Sequence, residues 1–415
     1  MRLGNLSRVV PEWLASYAGI ILIVGILVNL SAGFVQSTHS LTIPSMRDDL
    51  GISYTKAGLL ITVAGAFRMG SAFSAGTLAP RYGSRYMIGF GTIVTGLSML
   101  LLGIAPNFAV ALVATAIMGM GSGFSLTPMI GMVAPWFALR NRGMVAGLNA
   151  AGGSIAIVVA GLVVPPLVSS NAEAGWRHTW FIFGGLVVVI GLVSLVFLRD
   201  RPDDPSGLAA TSGQPRTSRG PWPLAVYRNP LVWMLAYLGF CSGVSTGVFN
   251  TFFGSFLNED QGVSLVTTGQ LFLLVGILSI ACGILWGTIS DRLDRSKAFG
   301  LSFLIQGIGL ALFWLSPAMA AFILGSILIG LTMRAAFALC AAASGDYVQP
   351  QFASAAFALV SVGAGLGSTL SPIMSGAIAD NFDISLVFAL GFGASMFGVA
   401  GALFLRKPTS SAQPD

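Results

Sequence analysis

Arg68 and Arg334 are the residues of this chain best placed to do chemistry, because each lies deep in an apolar run. Arg68 is fourteenth in the 25-residue run 55–79, at least about 16 Å from either end at 1.5 Å per helical residue. A side chain about 6–7 Å long cannot snorkel that far. Arg334 lies about nine residues from the nearer end of the run 318–343. A charge at the bilayer centre costs roughly 2.5–3.5 kcal/mol even on a lenient scale, so each arginine must face protein, water or a ligand. The fifteen Asp and Glu residues all fall in loops, tails or helix ends, among them Asp48, Asp49, Glu259, Asp260, Asp291, Asp294, Asp346, Asp380 and Asp383. No carboxylate therefore stands mid-membrane to neutralise either arginine. Two planar guanidinium forks without an acid point to an anionic ligand, a carboxylate or phosphate held bidentately. The competing use is a hydrogen bond to backbone carbonyls at a helix break, or a pair with a loop acid.

His39 stands about three residues from the outer end of the first apolar run. It is the one near-membrane side chain whose ordinary titration range covers pH 5–8, which makes it the candidate for carrying a coupled proton. A satisfied interfacial histidine is the bland alternative. Asn250, in the seventh run, and Asn149, in the fifth near Gly147 and Gly152, are further candidate ligand contacts. Asn29, Gln36 and Gln306 read as interhelical hydrogen-bonding groups, worth about 1 kcal/mol each. His178, between Trp176 and Trp180, reads as an interfacial anchor. The glycines at 119, 121 and 123 mean close helix packing, since no strand precedes them and no P-loop lysine follows. Phe34, Phe67, Phe124, Phe252 and Phe337 are candidates to line a cavity, with core packing as the default reading.

The elements that carry these groups follow from composition. Of 415 residues 55% are hydrophobic and only 9% charged, against roughly 25% charged in an ordinary soluble domain. Lipid is therefore the solvent for most of the chain, which excludes a secreted disulfide scaffold, a nucleic-acid module and a cytosolic enzyme. Cys241, Cys282 and Cys340 sit in apolar runs and read as buried small hydrophobes, with no metal or cofactor implied. A spanning helix needs about 20 apolar residues. Twelve such segments occur, at 18–42, 55–79, 86–105, 108–134, 143–168, 178–198, 231–255, 266–289, 297–316, 318–343, 352–378 and 385–405. The fold class expected is an all-α integral membrane protein. Residues 1–17 read as a cytoplasmic tail without a cleavage site, 18–198 as one six-helix bundle and 199–230, rich in Pro, Ser, Gly and charge, as a cytoplasmic linker. Residues 231–405 form the second bundle and 406–415 a cytoplasmic tail. With both termini inside, sixteen of the twenty-one Lys and Arg residues fall on the cytoplasmic side, so the net charge of +6 is mainly a topology signal.

Sliding the chain by 211 residues aligns the first two spans of each half without gaps. Asp49, Gly51 and Ser53 meet Asp260, Gly262 and Ser264; Gly58 meets Gly269; GTLAPR at 76–81 meets GTISDR at 287–292. The same offset carries Gly119 onto Gly330, Gly152 onto Gly363 and His39 onto Asn250. Duplication of this kind is common in transporter folds. Two pseudo-symmetric six-helix bundles around a central cavity are expected.

Twelve spans, a long middle linker and a Gly-x-x-x-Asp-Arg loop after spans 2 and 8 resemble the major facilitator superfamily. The resemblance implies that Gly287, Asp291, Arg292 and Arg295 form a conformational latch. Its first-half copy retains Gly76, Arg81, Gly83 and Arg85 but has Pro80 in place of the family's Asp. Ala134-Pro135-Trp136-Phe137, then Arg140, Arg142-Gly143, Ala146-Gly147 and Gly152-Gly153, are similar to the monocarboxylate and oxalate–formate branch, as is Asn229-Pro230-Leu231-Val232-Trp233. Segments like Gly345–Pro350 and Leu126–Met129 resemble uncharacterised bacterial permeases. That branch carries its anion-binding arginine in span 8, where this chain has no charge, so no substrate residue is transferred by position. The resemblance implies alternating access at the inner membrane of a bacterium by a monomer, moving a small anionic molecule with a proton or other ion. The reading is a secondary transporter of a small organic anion, most simply a carboxylate, held by Arg68 and Arg334. The alternative, proton-coupled drug or metabolite efflux, normally needs an intramembrane acid, and none is present; Thr115 stands near where an antiporter arginine would be. An enzyme is not expected, since neither a nucleophile with a base nor paired acids occur.

Overall fold

A computed structural model describes residues 17–133, 136, 142–170, 174–200, 224–344, 347–348 and 352–405. Arg140, residues 201–223 of the linker, residues 1–16 and 406–415 of the tails, and parts of the motifs at 134–137 and 345–350 lie outside the described residues. The helices are α1 (Tyr17–Leu50), α2 (Tyr54–Tyr82), α3 (Ser84–Gly103), α4 (Phe108–Val133), α5 (Arg142–Ser170), α6 (Gly175–Phe197), α7 (Leu224–Arg228), α8 (Pro230–Ser255), α9 (Leu265–Arg292), α10 (Arg295–Leu315), α11 (Met319–Thr332), α12 (Ala335–Ala343), α13 (Ala353–Asn381) and α14 (Leu386–Leu403). A π-helical turn, Phe256–Asp260, extends α8. Among the described residues no strand occurs, and twelve spans are long and apolar enough to cross a membrane.

The 211-residue offset extends well beyond the first two spans. Adding 211 to the bounds of α5 (142–170) gives 353–381, the bounds of α13; α2, α3, α4 and α6 likewise map onto α9, α10, α11–α12 and α14. The motif that first revealed the repeat has a local physical reason. Gly51 (φ 59°) and Gly262 (φ 63°) occupy the left-handed region at equivalent turns, where a side chain would be strained. Two residues on, Ser53 and Ser264 cap α2 and α9 by accepting from the amides of Lys56 and Thr267, at 3.3 and 3.2 Å.

The repeat breaks at one crossing. The α4 helix is continuous, whereas its counterpart divides into α11 and α12 at Met333 and Arg334. The break leaves the Leu331 carbonyl free to accept from the Trp286 indole nitrogen at 2.7 Å. Such irregular backbone is tolerated at membrane depth where protein or a cavity satisfies it.

The two bundles form a wedge. At the face bearing the α1–α2 turn, called here the far face, a Cβ on Gly58 of α2 would lie 2.2 Å from the Pro372 carbonyl oxygen of α13. Along the same seam the equivalent distance is 2.6 Å from Gly65 to Thr369 and 3.4 Å from Gly365 to Met69. Nearer the opposite face, which carries the chain ends and the linker, Gly70 and Gly76 have nothing within 4 Å. The α5–α9 seam repeats the pattern, tight at Gly161 and Gly269 and open at Gly147 and Gly283. The bundles therefore touch at the far face and splay toward the linker face.

Polar contacts reinforce the closed end. Arg47 of α1 pairs with Glu259 of the π-helical turn and lies 3.4 Å over the Tyr54 ring. Tyr54 donates its hydroxyl to Glu259 at 2.5 Å, and the amides of Tyr54 and Thr55 donate to the two carboxylate oxygens of Asp380, each at 2.8 Å. The N-terminus of α2 is thus satisfied, and its dipole complemented, by an acid of the other bundle.

Candidate functional site

Two adjoining cavities lie where the bundles meet at mid-depth. The first, about 50 Å³, is lined by Gln36 and His39 of α1, Arg68 of α2, Ser122 of α4, Asn250 and Thr251 of α8 and Ser368 of α13. The second, about 140 Å³, is lined by Gln36, Ser37, Gly153, Thr246, Asn250, Met333 and Arg334. Gln36 and Asn250 line both, one from each bundle, and mark the boundary between them, called here the waist. Neither approaches the roughly 300–1,000 Å³ of a drug-sized site.

Arg68 reaches the first cavity from a tight helix crossing. A Cβ on Gly123 of α4 would lie 2.4 Å from the Arg68 carbonyl oxygen and 2.0 Å from Ser71 Oγ, so only glycine lets α4 lie flush behind it. Ser71 donates its hydroxyl to the same carbonyl at 3.1 Å. Among the described residues the Arg68 guanidinium has no hydrogen bond and no ion pair. Arg334 reaches the second cavity from the break between α11 and α12. Its Nε donates to Ser154 Oγ at 3.0 Å, and a Cβ on Gly153 would lie 2.6 Å from its Nη2. The guanidinium of one bundle thus lies on the glycine face of the other, and no carboxylate touches it among the described residues.

The two arginines are not repeat partners. Under the 211 offset Arg68 corresponds to Ser279, and Arg334 to Gly123, the glycine that packs behind Arg68. Each bundle therefore carries its cation at the same helix crossing but on the opposite member of the pair.

His39 is buried, edge-on to Trp180 at 4.6 Å between ring centroids. Its Nδ1 lies 2.7 Å from the Val35 carbonyl oxygen, so that nitrogen carries the proton and donates. Nε2 is left as a lone pair with no partner. Asn250 lines both cavities, as described. Asn149 is elsewhere: buried against Gly25 of α1, its Oδ1 unpartnered, and lining neither cavity.

The latch residues sit at the linker face. Gly76 and Gly287 are open, and Arg81, Asp291 and Arg292 are exposed without an ion pair among the described residues. Arg295 bonds to Ser290 Oγ. Arg85 donates Nε to the Leu195 carbonyl at 2.6 Å, and its amide donates to Asp200 at 2.9 Å. Cys241, Cys282 and Cys340 are buried free thiols.

Sequence reasoning missed the waist role of Gln36 and the closed-end group of Arg47, Tyr54, Glu259 and Asp380. Gln36 carries a weak signal, since glycine, Gly247, takes its place in the other repeat. Asp380 carries none, as it lies 326 positions from Tyr54.

A sequence model described as Major Facilitator Superfamily matches residues 25–297 and 235–415. The chain is 23% identical over 402 residues to a probable sulfoacetate transporter of Cupriavidus necator, covering 91% of each. It is 22% identical over 397 residues to the oxalate:formate antiporter of Oxalobacter formigenes, covering 92% of this chain and 90% of that one. A crystal structure of a bacterial homologue of the human lysosomal transporter Spinster superposes with a TM-score of 0.70 at 16% identity, over 94% of this chain and 95% of that chain. That structural likeness speaks for the fold.

Proposed function

From the premise that this chain belongs to the major facilitator superfamily, a multi-pass membrane transporter and not an enzyme, we propose that it moves a small organic anion, most simply a carboxylate. The anion sits between the bundles at mid-depth, held by Arg68 and Arg334, in a bacterial inner membrane with the linker face cytoplasmic. The observation that carries this reading is Arg68, a half-buried arginine at membrane depth that lines a cavity with no acid to pair with among the described residues. Relatives named for sulfoacetate, oxalate and formate support the same chemistry. The absence of a carboxylate from the lining of either cavity weighs against efflux of cations.

In this reading the present arrangement is open to the cytoplasm and shut at the far face. Transport requires the wedge to reverse about the bound anion. The closed-end contacts of Arg47, Tyr54, Glu259 and Asp380 then part, and Asp291, Arg292 and the first-half Arg81 approach to latch the linker face. Residues 18–198 and 231–405 move as the two bodies.

Thermal shifts in detergent test the proposal, against mono- and dicarboxylates, nitrate, phosphate esters, amines and hydrophobic cations. A ligand at 100 times its Kd adds about 2.7 kcal/mol to the native state. Stabilisation by one class of organic anions is expected; stabilisation by cations or neutral drugs alone would replace this reading with efflux. The unpartnered Nε2 of His39, in a residue that shares the Arg68 cavity, gives a coupled proton a place to sit. His39→Gln is expected to flatten the pH dependence of uptake. An unchanged profile removes His39 from coupling.

A further inference from the structure

We infer that the transported anion is two-headed: a short dianion that places one anionic group on Arg68 and the other on Arg334, with its connecting segment at the Gln36–Asn250 waist. The inference rests on the reading of both arginines as anion-binding groups and specifies the class of ligand they take.

Three observations carry it. Arg68 lines only the first cavity and Arg334 only the second. A single carboxylate gripped by one fork would therefore leave the other guanidinium facing an uncompensated cavity. The two cavities adjoin, because Gln36 and Asn250 line both. A ligand that reaches into both lies against these two side chains, whose amides offer both donors and acceptors to its middle. Lastly, the charge does not balance without a second anionic group. The two arginines contribute two positive charges, and among the described residues no carboxylate pairs with either. A dianion neutralises both, whereas a monoanion leaves one half-buried cation at membrane depth without a counter-charge.

The geometry also separates the two heads. Arg334 already donates Nε to Ser154, so its Nη groups remain for the ligand, while the whole Arg68 fork is uncommitted. Because Arg68 belongs to one bundle and Arg334 to the other, a two-headed ligand ties the bundles together, whereas a one-headed ligand engages one of them only.

The test is calorimetric titration of the purified full-length protein in detergent with acetate, propionate, oxalate, malonate, succinate, glutarate and sulfoacetate. The monomethyl ester of the tightest dicarboxylate is titrated beside them. The expected result is a length optimum among the dianions and an affinity for the best one about a hundredfold above that of its half-ester. In Arg334→Gln, and separately in Arg68→Gln, dianion and half-ester should bind alike, with each variant's elution volume in size-exclusion chromatography showing that it is folded. If the half-ester or a monocarboxylate binds the wild type as tightly as the dianion, and Arg68→Gln still abolishes binding, the ligand is one-headed and the inference fails while the anion reading stands. If no anion binds the wild type, both fail.

Discussion

Arg68→Ala is expected to weaken anion binding sharply and to stop uptake while leaving the protein folded. The guanidinium makes no hydrogen bond or ion pair among the described residues, so its removal breaks no internal polar contact. What it takes away is the partner of a desolvated anion. Truncating one member of a buried charge pair costs about 2–5 kcal/mol, or roughly 30- to 4,000-fold in Kd. Arg68→Lys should recover only part of this, since an ammonium keeps the charge but loses the fork. The check is a titration of each variant with the anion that most stabilises the wild type, beside its unliganded Tm. A variant that keeps wild-type affinity would make Arg68 structural.

The second large effect is conformational. Gly58→Val should trap the far face open. Even a methyl at this position would meet the Pro372 carbonyl oxygen at 2.2 Å, and that backbone cannot swing aside as a flexible side chain would. The clash exists only while the bundles are closed at the far face, because Gly58 and Pro372 belong to different bundles. Overpacking of about 1–3 kcal/mol placed on one state shifts a two-state population by roughly 5- to 150-fold. Uptake should fall by a comparable factor. Spin labels at the exposed Lys56 and Asp383, on either side of the seam, should move apart. An unchanged label distance would mean that the seam tolerates the side chain and that closure there is not required.

The parts of this protein legible in its sequence were those where lipid makes a choice expensive. Arg68 and Arg334 stood out because a charge at membrane depth must have a use. The repeat stood out at Gly51–Ser53 and Gly262–Ser264 because a left-handed turn followed by a cap restricts residue type. Across the other spans the offset holds to within a few residues, yet there lipid accepts any large apolar side chain and the pattern fades.

What stayed hidden was set by three-dimensional neighbours. The break at Arg334 follows neither Pro nor Gly in the sequence MRAAF; it stands where Trp286 takes the Leu331 carbonyl and Ser154 takes the guanidinium. Asp380 looked like any loop acid until the helix it caps was seen to belong to the other bundle. Asn149 looked like a ligand contact from its glycine-rich surroundings, but Gly152 packs α5 against α1 there, and Asn149 meets Gly25 and lines neither of the two cavities described.

Counterflow in proteoliposomes tests most directly whether this protein carries a small organic anion through a reversing wedge. Vesicles loaded with the unlabelled anion and diluted into a trace of the labelled one should accumulate label transiently with no ion gradient imposed. Arg68→Ala vesicles should not. Accumulation that is equal in wild type and Arg68→Ala, or absent for every organic anion while a cation is exchanged, would contradict the account.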